Sequence, residues 1–203
     1  YVQGQKDIER KLIRTIGDPN QRFGEDYLRL LRAVRFSTQL GFDIEKNTAE
    51  AIKKLAGLIT KISYERISME LEAILTSPAR ANGAQMLLDY GLLGEIFPAL
   101  KTGKIAQYGI SVLGYFKKTV RFPLALSAIL CGLDTNTAVE QAELLKLSRN
   151  QIKCLAFLLK NKTSLLDADM SLARLKMFLA EPYYRDLLEL HRALLKSAAK
   201  SIS

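Results

Sequence analysis

The sequence predicts an all-α, multihelical fold, and three observations carry that prediction. Apolar residues recur at helical spacing along almost the whole chain. Ser, Asp, Asn, Gly and Pro punctuate those runs at helix-length intervals, where caps and stops belong. No run of four or more residues alternates apolar and polar as a half-buried strand requires.

The first long helix is expected over residues 25–40, where Tyr27, Leu31, Val34 and Thr38 form one stripe and Gly41 supplies the stop. Residues 47–56 start on an Asn or Thr cap and end before Gly57. Residues 63–76 begin at Ser63, place acid in the first turns, and turn Ile67, Leu71, Ile74 and Leu75 inward before Ser77-Pro78. Residues 79–90 carry Ala84, Leu87 and Leu88 ahead of Gly91, and residues 105–118 carry Ile105, Tyr108, Val112, Leu113 and Phe116. Residues 123–131 are nearly all apolar, so that helix is expected to be surrounded on every side. Residues 135–146, 149–160 and 171–180 come next, with Ser148 as a cap. Glu181-Pro182 is expected to open a last helix, with Pro in its first turn, running to about residue 199. Pro98 and Lys101-Thr102-Gly103-Lys104 are the most loop-like stretch, which divides the chain into residues 1–98 and 99–203.

At 203 residues, 48% apolar and 25% charged, the chain can bury a core, which excludes general disorder. No apolar run approaches the ~18 residues of a membrane span, and the charges throughout the first twenty residues read against a signal peptide. Cys131 and Cys154 form no CxxC and share the chain with a single histidine, His191. That excludes a disulfide scaffold and a zinc module, and a reducing, cytoplasmic setting is expected. His191 is expected at the surface or half-buried, and Cys131 as a buried small residue. The opening Tyr-Val-Gln-Gly-Gln, without Met, reads as part of something longer.

The net charge of +9 is uneven: residues 1–90 hold 14 basic and 12 acidic residues, residues 91–203 hold 16 and 9. A basic half suggests a polyanionic partner, RNA above all. Lys117, Lys118 and Arg121 cluster near one loop, and Arg149, Lys153 and Lys160 lie along one expected helix; these are the candidate RNA contacts.

The densest polar constellation is Arg22-Phe23-Gly24-Glu25-Asp26-Tyr27-Leu28-Arg29, continuing to Arg32 and Arg35. If the helix already includes Arg22, then Arg22, Asp26, Arg29, Ala33 and Phe36 share a face, flanked by Glu25 and Arg32 and opposite the apolar stripe. An Asp supplies only acceptors and an Arg only donors in a fixed fork, so together they suit the edge of a base.

The same string carries a resemblance. Ile13-Arg14, Gly17-Asp18-Pro19, Arg22-Phe23, Glu25-Asp26, Leu28-Arg29, Leu31-Arg32-Ala33, Arg35-Phe36 and Leu40-Gly41-Phe42 resemble the neck helix of bacterial CCA-adding enzymes and poly(A) polymerases, the class II nucleotidyltransferase family. Gly4, Asp7 and Ile8 look like the end of that family's Gly-rich "GGxxDL" segment, with Gln5 in place of the second Gly. Ser63, Glu65-Arg66-Ile67 and Glu70-Leu71 look like its "SxERIxxEL" helix. Leu87-Leu88, Gly91-Leu92-Leu93 and Phe97-Pro98 match the family's close to that region. Residues 4–98 carry the likeness; residues 99–195 match loosely, as in Phe122-Pro123-Leu124-Ala125-Leu126.

The resemblance implies a neck (1–98) with a base-reading helix and a helical, RNA-binding body (99–203). It implies that Asp26 and Arg29 read the base of ATP or CTP, that Glu25 holds Arg29, and that Glu65 and Arg66 brace the helix. It also implies that the catalytic, Mg²⁺-binding carboxylates belong to a strand-rich head, so that this stretch alone should be inactive. The letters Asp167-Ala168-Asp169 are read as a loop and cap rather than a metal site. Leu130-Cys131-Gly132-Leu133-Asp134 has no His where some members carry a His-Asp pair, so no phosphohydrolase centre of that type is expected. The activity implied for the whole enzyme is template-independent addition of CMP and AMP, or AMP alone, to RNA 3′ ends, tRNA foremost. The alternative is a non-catalytic helical RNA-binding or interaction module that shares the neck fold.

Overall fold

A computed structural model of the chain describes residues 3–117, 119–166 and 170–200. Lys118 and Asp167-Ala168-Asp169 lie outside the described residues. Thirteen α-helices make up nearly all the regular structure described. In order they are α1 (Gly4–Glu9), α2 (Pro19–Glu25), α3 (Leu28–Leu40), α4 (Lys46–Leu55), α5 (Tyr64–Leu75), α6 (Arg80–Asp89) and α7 (Leu92–Ile96). Then come α8 (Lys104–Gly114), α9 (Phe122–Leu130), α10 (Thr135–Glu143), α11 (Arg149–Lys160), α12 (Leu172–Ala180) and α13 (Tyr184–Lys200). Two short strands, β1 (Leu12–Ile13) and β2 (Asp43–Ile44), pair in parallel, Leu12 opposite Asp43 and Ile13 opposite Ile44. A two-residue strand is too short to leave an alternating pattern, so the sequence did not announce it.

The helix expected over residues 25–40 starts later, as α3 at Leu28, and Glu25 ends a separate helix, α2. Asp26 leaves the helical conformation (φ −157°, ψ 106°), ending α2 and starting α3. Its Oδ1 accepts the Leu28 N–H at 3.0 Å, a bond that competes with helix continuation. The Gly17-Asp18-Pro19 motif then explains the start of α2. Gly17 takes φ +83°, Asp18 caps by accepting the Asn20 N–H at 3.0 Å, and Pro19 occupies the first turn. α3 stops at Gly41 (φ +66°), whose N–H bonds the Ser37 carbonyl.

Other boundaries shift for local reasons. α4 is capped by Glu45, whose carboxylate accepts from the N–H groups of Asn47 and Thr48, rather than by Asn47 or Thr48 themselves. Phe116 lies beyond the end of α8 and is buried there. Pro182 precedes α13 instead of sitting in its first turn. Ser148 caps α11 as expected, in a reciprocal arrangement with Gln151.

Packing proceeds helix to helix: α3 lies on α5 and α6, α6 on α8, α8 on α9 and α13, and α9 on α11. Ile67, Leu71, Ile74 and Leu75 of α5 are fully buried, as their spacing requires, and every residue of α9 is buried. One hydrophobic core runs through these contacts and across residue 100.

The α8–α9 crossing is set by Gly109. A Cβ there would lie 2.4 Å from the Ile129 carbonyl oxygen and 2.7 Å from that of Ala128. Gly109→Ala must push two backbones apart, at a cost of about 1–3 kcal/mol. At about 2–4 °C per kcal/mol for a chain of this size, Tm should fall by roughly 3–10 °C. Gly24→Ala, in a helix with nothing within 4 Å of the new methyl, should leave Tm unchanged or raise it. Thermal melts followed by circular dichroism test the contrast.

Candidate functional site

The polar constellation at residues 22–35 is built at the junction of α2, α3 and α5. Because Asp26 breaks the helix, Arg22, Asp26 and Arg29 do not share one continuous helical face. The break separates the two partners. Glu25 at the end of α2 binds both flanking arginines: its carboxylate takes Arg22 Nη1 at 3.0 and 3.2 Å and Arg29 Nη1 at 2.5 Å. Arg29 Nη1 also donates to the Arg22 carbonyl at 2.8 Å, and Arg22 Nε to the Ile16 carbonyl at 3.2 Å. Glu25 thus stands beside Arg29 as the resemblance implied.

Asp26 turns to α5 instead. Its Oδ2 accepts from Arg66 Nη2 at 2.9 Å. A second link joins the same helices: Glu70 of α5 accepts from Arg32 Nε at 3.3 Å and Arg35 Nε at 2.6 Å. Glu70 is only 8% exposed, and a carboxylate that buried needs both guanidiniums. Glu65 stays exposed, so the bracing acid is Glu70 and the bracing base Arg66. The signal that could have found Glu70 was present. It lies four residues beyond Arg66 on the same helix as the buried Ile67, Leu71 and Ile74.

The groups left open decide what the junction can bind. Arg29 keeps Nε and Nη2 unpaired, and Arg32 keeps both Nη groups unpaired, among the described residues. Asp26 has one bond to each oxygen and so retains acceptor capacity at both. The side chain of Arg29 is 39% exposed and that of Asp26 25%. Open donors on Arg29 and Arg32 and open acceptors on Asp26 thus belong to one partly exposed junction of α2, α3 and α5.

The charges are held in place electrostatically. The Glu25 carboxyl is lowered below its usual value by its hydrogen bonds to Arg29 and Arg22. Partial desolvation raises the Asp26 carboxyl, but the Leu28 N–H and Arg66 outweigh it and hold it low.

Elsewhere, Arg149, Lys153 and Lys160 are exposed on α11 and unpaired among the described residues, and Lys117 is exposed just past α8. Arg121 is engaged: its Nε reaches Asp186 of α13 at 3.1 Å. His191 is not a surface residue. It is 5% exposed, with Nε2 3.1 Å from the Asn161 carbonyl, because α13 folds back onto the end of α11. Cys131 is buried, and burial pushes its thiol up to about 12, which keeps it unreactive.

Comparison with known proteins bears on the chain as a whole. Residues 41–103 match the family described as "probable RNA and SrmB-binding site of polymerase A". The CCA-adding enzyme of Bacillus subtilis is 46% identical over 96 residues, which are 47% of this chain and 24% of that protein. That of Bacillus pumilus is 36% identical over 153 residues, 75% of this chain and 38% of that protein. The Bacillus stearothermophilus CCA-adding enzyme in complex with CTP superposes on 98% of this chain and 53% of its own, with a TM-score of 0.73 and 24% identity. The Thermotoga maritima CCA-adding enzyme complexed with tRNA superposes on 96% and 50%, with a TM-score of 0.72 and 21% identity.

The sequence likeness gives the class, the helical region of a class II nucleotidyltransferase, and the fold agrees with it. The chain belongs to the CCA-adding enzyme and poly(A) polymerase family, and it spans about half the length of the solved structures and less of the curated relatives.

The ion pairs make the junction's stability testable by mutation and by pH. Glu70→Ala leaves Arg32 and Arg35 facing each other without an anion, and should destabilise by about 3 kcal/mol in urea denaturation. Glu65→Ala, at an exposed position, should change stability by less than about 0.5 kcal/mol. For pH, Glu25 and Asp26 both have lowered folded-state values, so their stabilisation is complete above the ordinary carboxylate range, about 4. It is lost as pH falls through the folded-state values. Wild-type stability should therefore decline below about pH 4, and Asp26→Asn should flatten part of that decline.

Proposed function

We propose that this chain is part of a template-independent RNA nucleotidyltransferase, which adds CMP and AMP, or AMP alone, to RNA 3′ ends. Its role within that reaction is to read the incoming base and to bind RNA. The observation that carries this reading is the open donor-and-acceptor pair at Asp26 and Arg29, held by Glu25, Arg66 and the α2–α3 break. Cytosine and adenine both present an exocyclic amine beside a bare ring nitrogen. The amine donates to Asp26 and the ring nitrogen accepts from Arg29. Guanine and uracil present a carbonyl beside a ring N–H, the reverse order, and leave both protein groups mismatched. One pair of side chains therefore admits CTP and ATP and rejects GTP and UTP. Arg32, and beyond it Arg22, supply positive charge to the same bound nucleotide. Arg66 and Glu70 support it from α5.

RNA contact is assigned to the exposed basic residues of the second half, Lys117, Arg149, Lys153 and Lys160, with Arg121 at their edge. Lys118 belongs to the same loop by sequence. Mg²⁺ neutralises charge on the transferring phosphates in this chemistry. Among the described residues no group of three or more His, Cys, Asp or Glu is placed to hold a cation, and no step is assigned to the ion. Among them, too, no helix is long and apolar enough to cross a membrane.

Equilibrium binding tests the base-reading pair. Asp26→Ala and Arg29→Ala should each weaken ATP and CTP binding by about 1–3 kcal/mol and narrow the margin over GTP and UTP. Unchanged selectivity in both variants would reduce the pair to a surface ion-pair site. For RNA, log K should fall linearly with log salt. Replacing Arg149, Lys153 and Lys160 with Ala should lower both affinity and slope, by roughly 0.7 per lost phosphate contact on single strands. The same charge loss at Lys46, Lys53 and Lys54 should do much less. Equal losses from both triple variants would mean diffuse attraction without a defined RNA face.

A further inference from the structure

One stripe of α3 carries Arg29, Arg32, Phe36 and Leu40, spaced i, i+3, i+7 and i+11. Phe36 is 43% exposed and Leu40 56%. An exposed phenylalanine is ordinary by itself; the support behind this one is not. The guanidinium carbon of Arg35 sits 4.3 Å from the Phe36 ring centroid. That guanidinium is fixed in turn, with Nε on the buried Glu70 at 2.6 Å and Nη1 on Gln39 at 3.2 Å. The ring is therefore backed on one face by an anchored cation and open to solvent elsewhere.

The two ends of the stripe differ in charge. Arg29 and Arg32, with Arg22 and Arg66 beside them, outnumber Glu25 and Asp26 at the N-terminal end, where the helix dipole is also positive. At the other end the stripe itself is apolar, Phe36 and Leu40 standing exposed beside the uncharged Gln39, and the dipole is negative. An anionic backbone belongs at the first end and an uncharged π-face at the second. Seven residues of helix separate Arg29 from Phe36, about 10 Å, a span of one or two nucleotides.

The geometry points to Phe36 as a stacking platform for a base of single-stranded RNA whose backbone passes Arg29 and Arg32. This rests on the proposed reading of Asp26 and Arg29, and adds where the acceptor RNA lies relative to them. Single strands are commonly held by aromatic stacking beside guanidiniums. Arg35 and Glu70 are then positioning residues for the ring.

The chain contains no tryptophan, so Phe36→Trp places a single indole at the site. The probes are short oligocytidylate and oligoadenylate strands. Phe36→Trp should keep affinity for them, and its emission should be quenched saturably as they bind. Phe36→Leu, which keeps apolar bulk but removes the ring, should weaken binding by about 5- to 100-fold. Leu40→Ala, on the same stripe but without a π-face, should stay within about twofold. Melting curves identify any variant that is unfolded rather than unstacked.

Unquenched emission with RNA bound, or wild-type affinity in Phe36→Leu, would overturn the stacking assignment and leave the nucleotide reading standing. Emission that changes with protein concentration alone would assign the face to a second copy and overturn it too. No RNA binding by the wild-type chain would overturn both.

Discussion

Asp26 is the hinge on which the recognition surface turns. One carboxylate ends α2, receives the first N–H of α3, and ties Arg66 of α5 to both. If residues 22–40 formed a single helix, Arg22 and Arg29 would lie two turns apart on one rod, and Asp26 would pair along it. Glu25 bridges the two arginines at helical spacings, while the break turns Asp26 to the neighbouring helix with acceptor capacity to spare. The open acceptors of Asp26 depend on that local competition between a side-chain cap and helix propagation.

The second constraint is charge burial. Glu70 is nearly sealed between α3 and α5, and its two guanidinium partners make the interface between these helices polar on its outer side and apolar within. Such a bridge contributes less net stability than its short distances suggest, because three charges lose water. Its larger contribution is position. It fixes the backbone side of Arg32 and all of Arg35, so the nitrogens left over project in set directions. Recognition of a planar base or a phosphate depends on that rigidity more than on charge count.

The second half uses similar groups for a different end. Arg121 with Asp186, Arg192 with Glu189, and Lys162 with the carbonyls of Cys131 and Leu133 all pin segments around α9, α11 and α13. Much of the basic surplus in residues 91–203 is therefore structural cement. Arg149, Lys153 and Lys160, which have no such duty among the described residues, lie together on one helix.

The helical class, most helix positions, the inward faces of α5 and α9, and the family likeness were all legible in the order of the residues, because periodicity, caps and a long motif are local properties of the chain. So was the pairing of Glu25 with Arg29, a contact between residues four apart. The break at Asp26 was not legible, because helix propensity and a two-residue side-chain bond favour different structures there, and only packing of α5 against α3 weighs the outcome. The resemblance also pointed to Glu65 where Glu70 makes the bridge, and the sequence left His191 at the surface or half-buried where α13 buries it. Those are contacts between residues 30 to 40 positions apart, made by helix packing, and no spacing within a single helix encodes them.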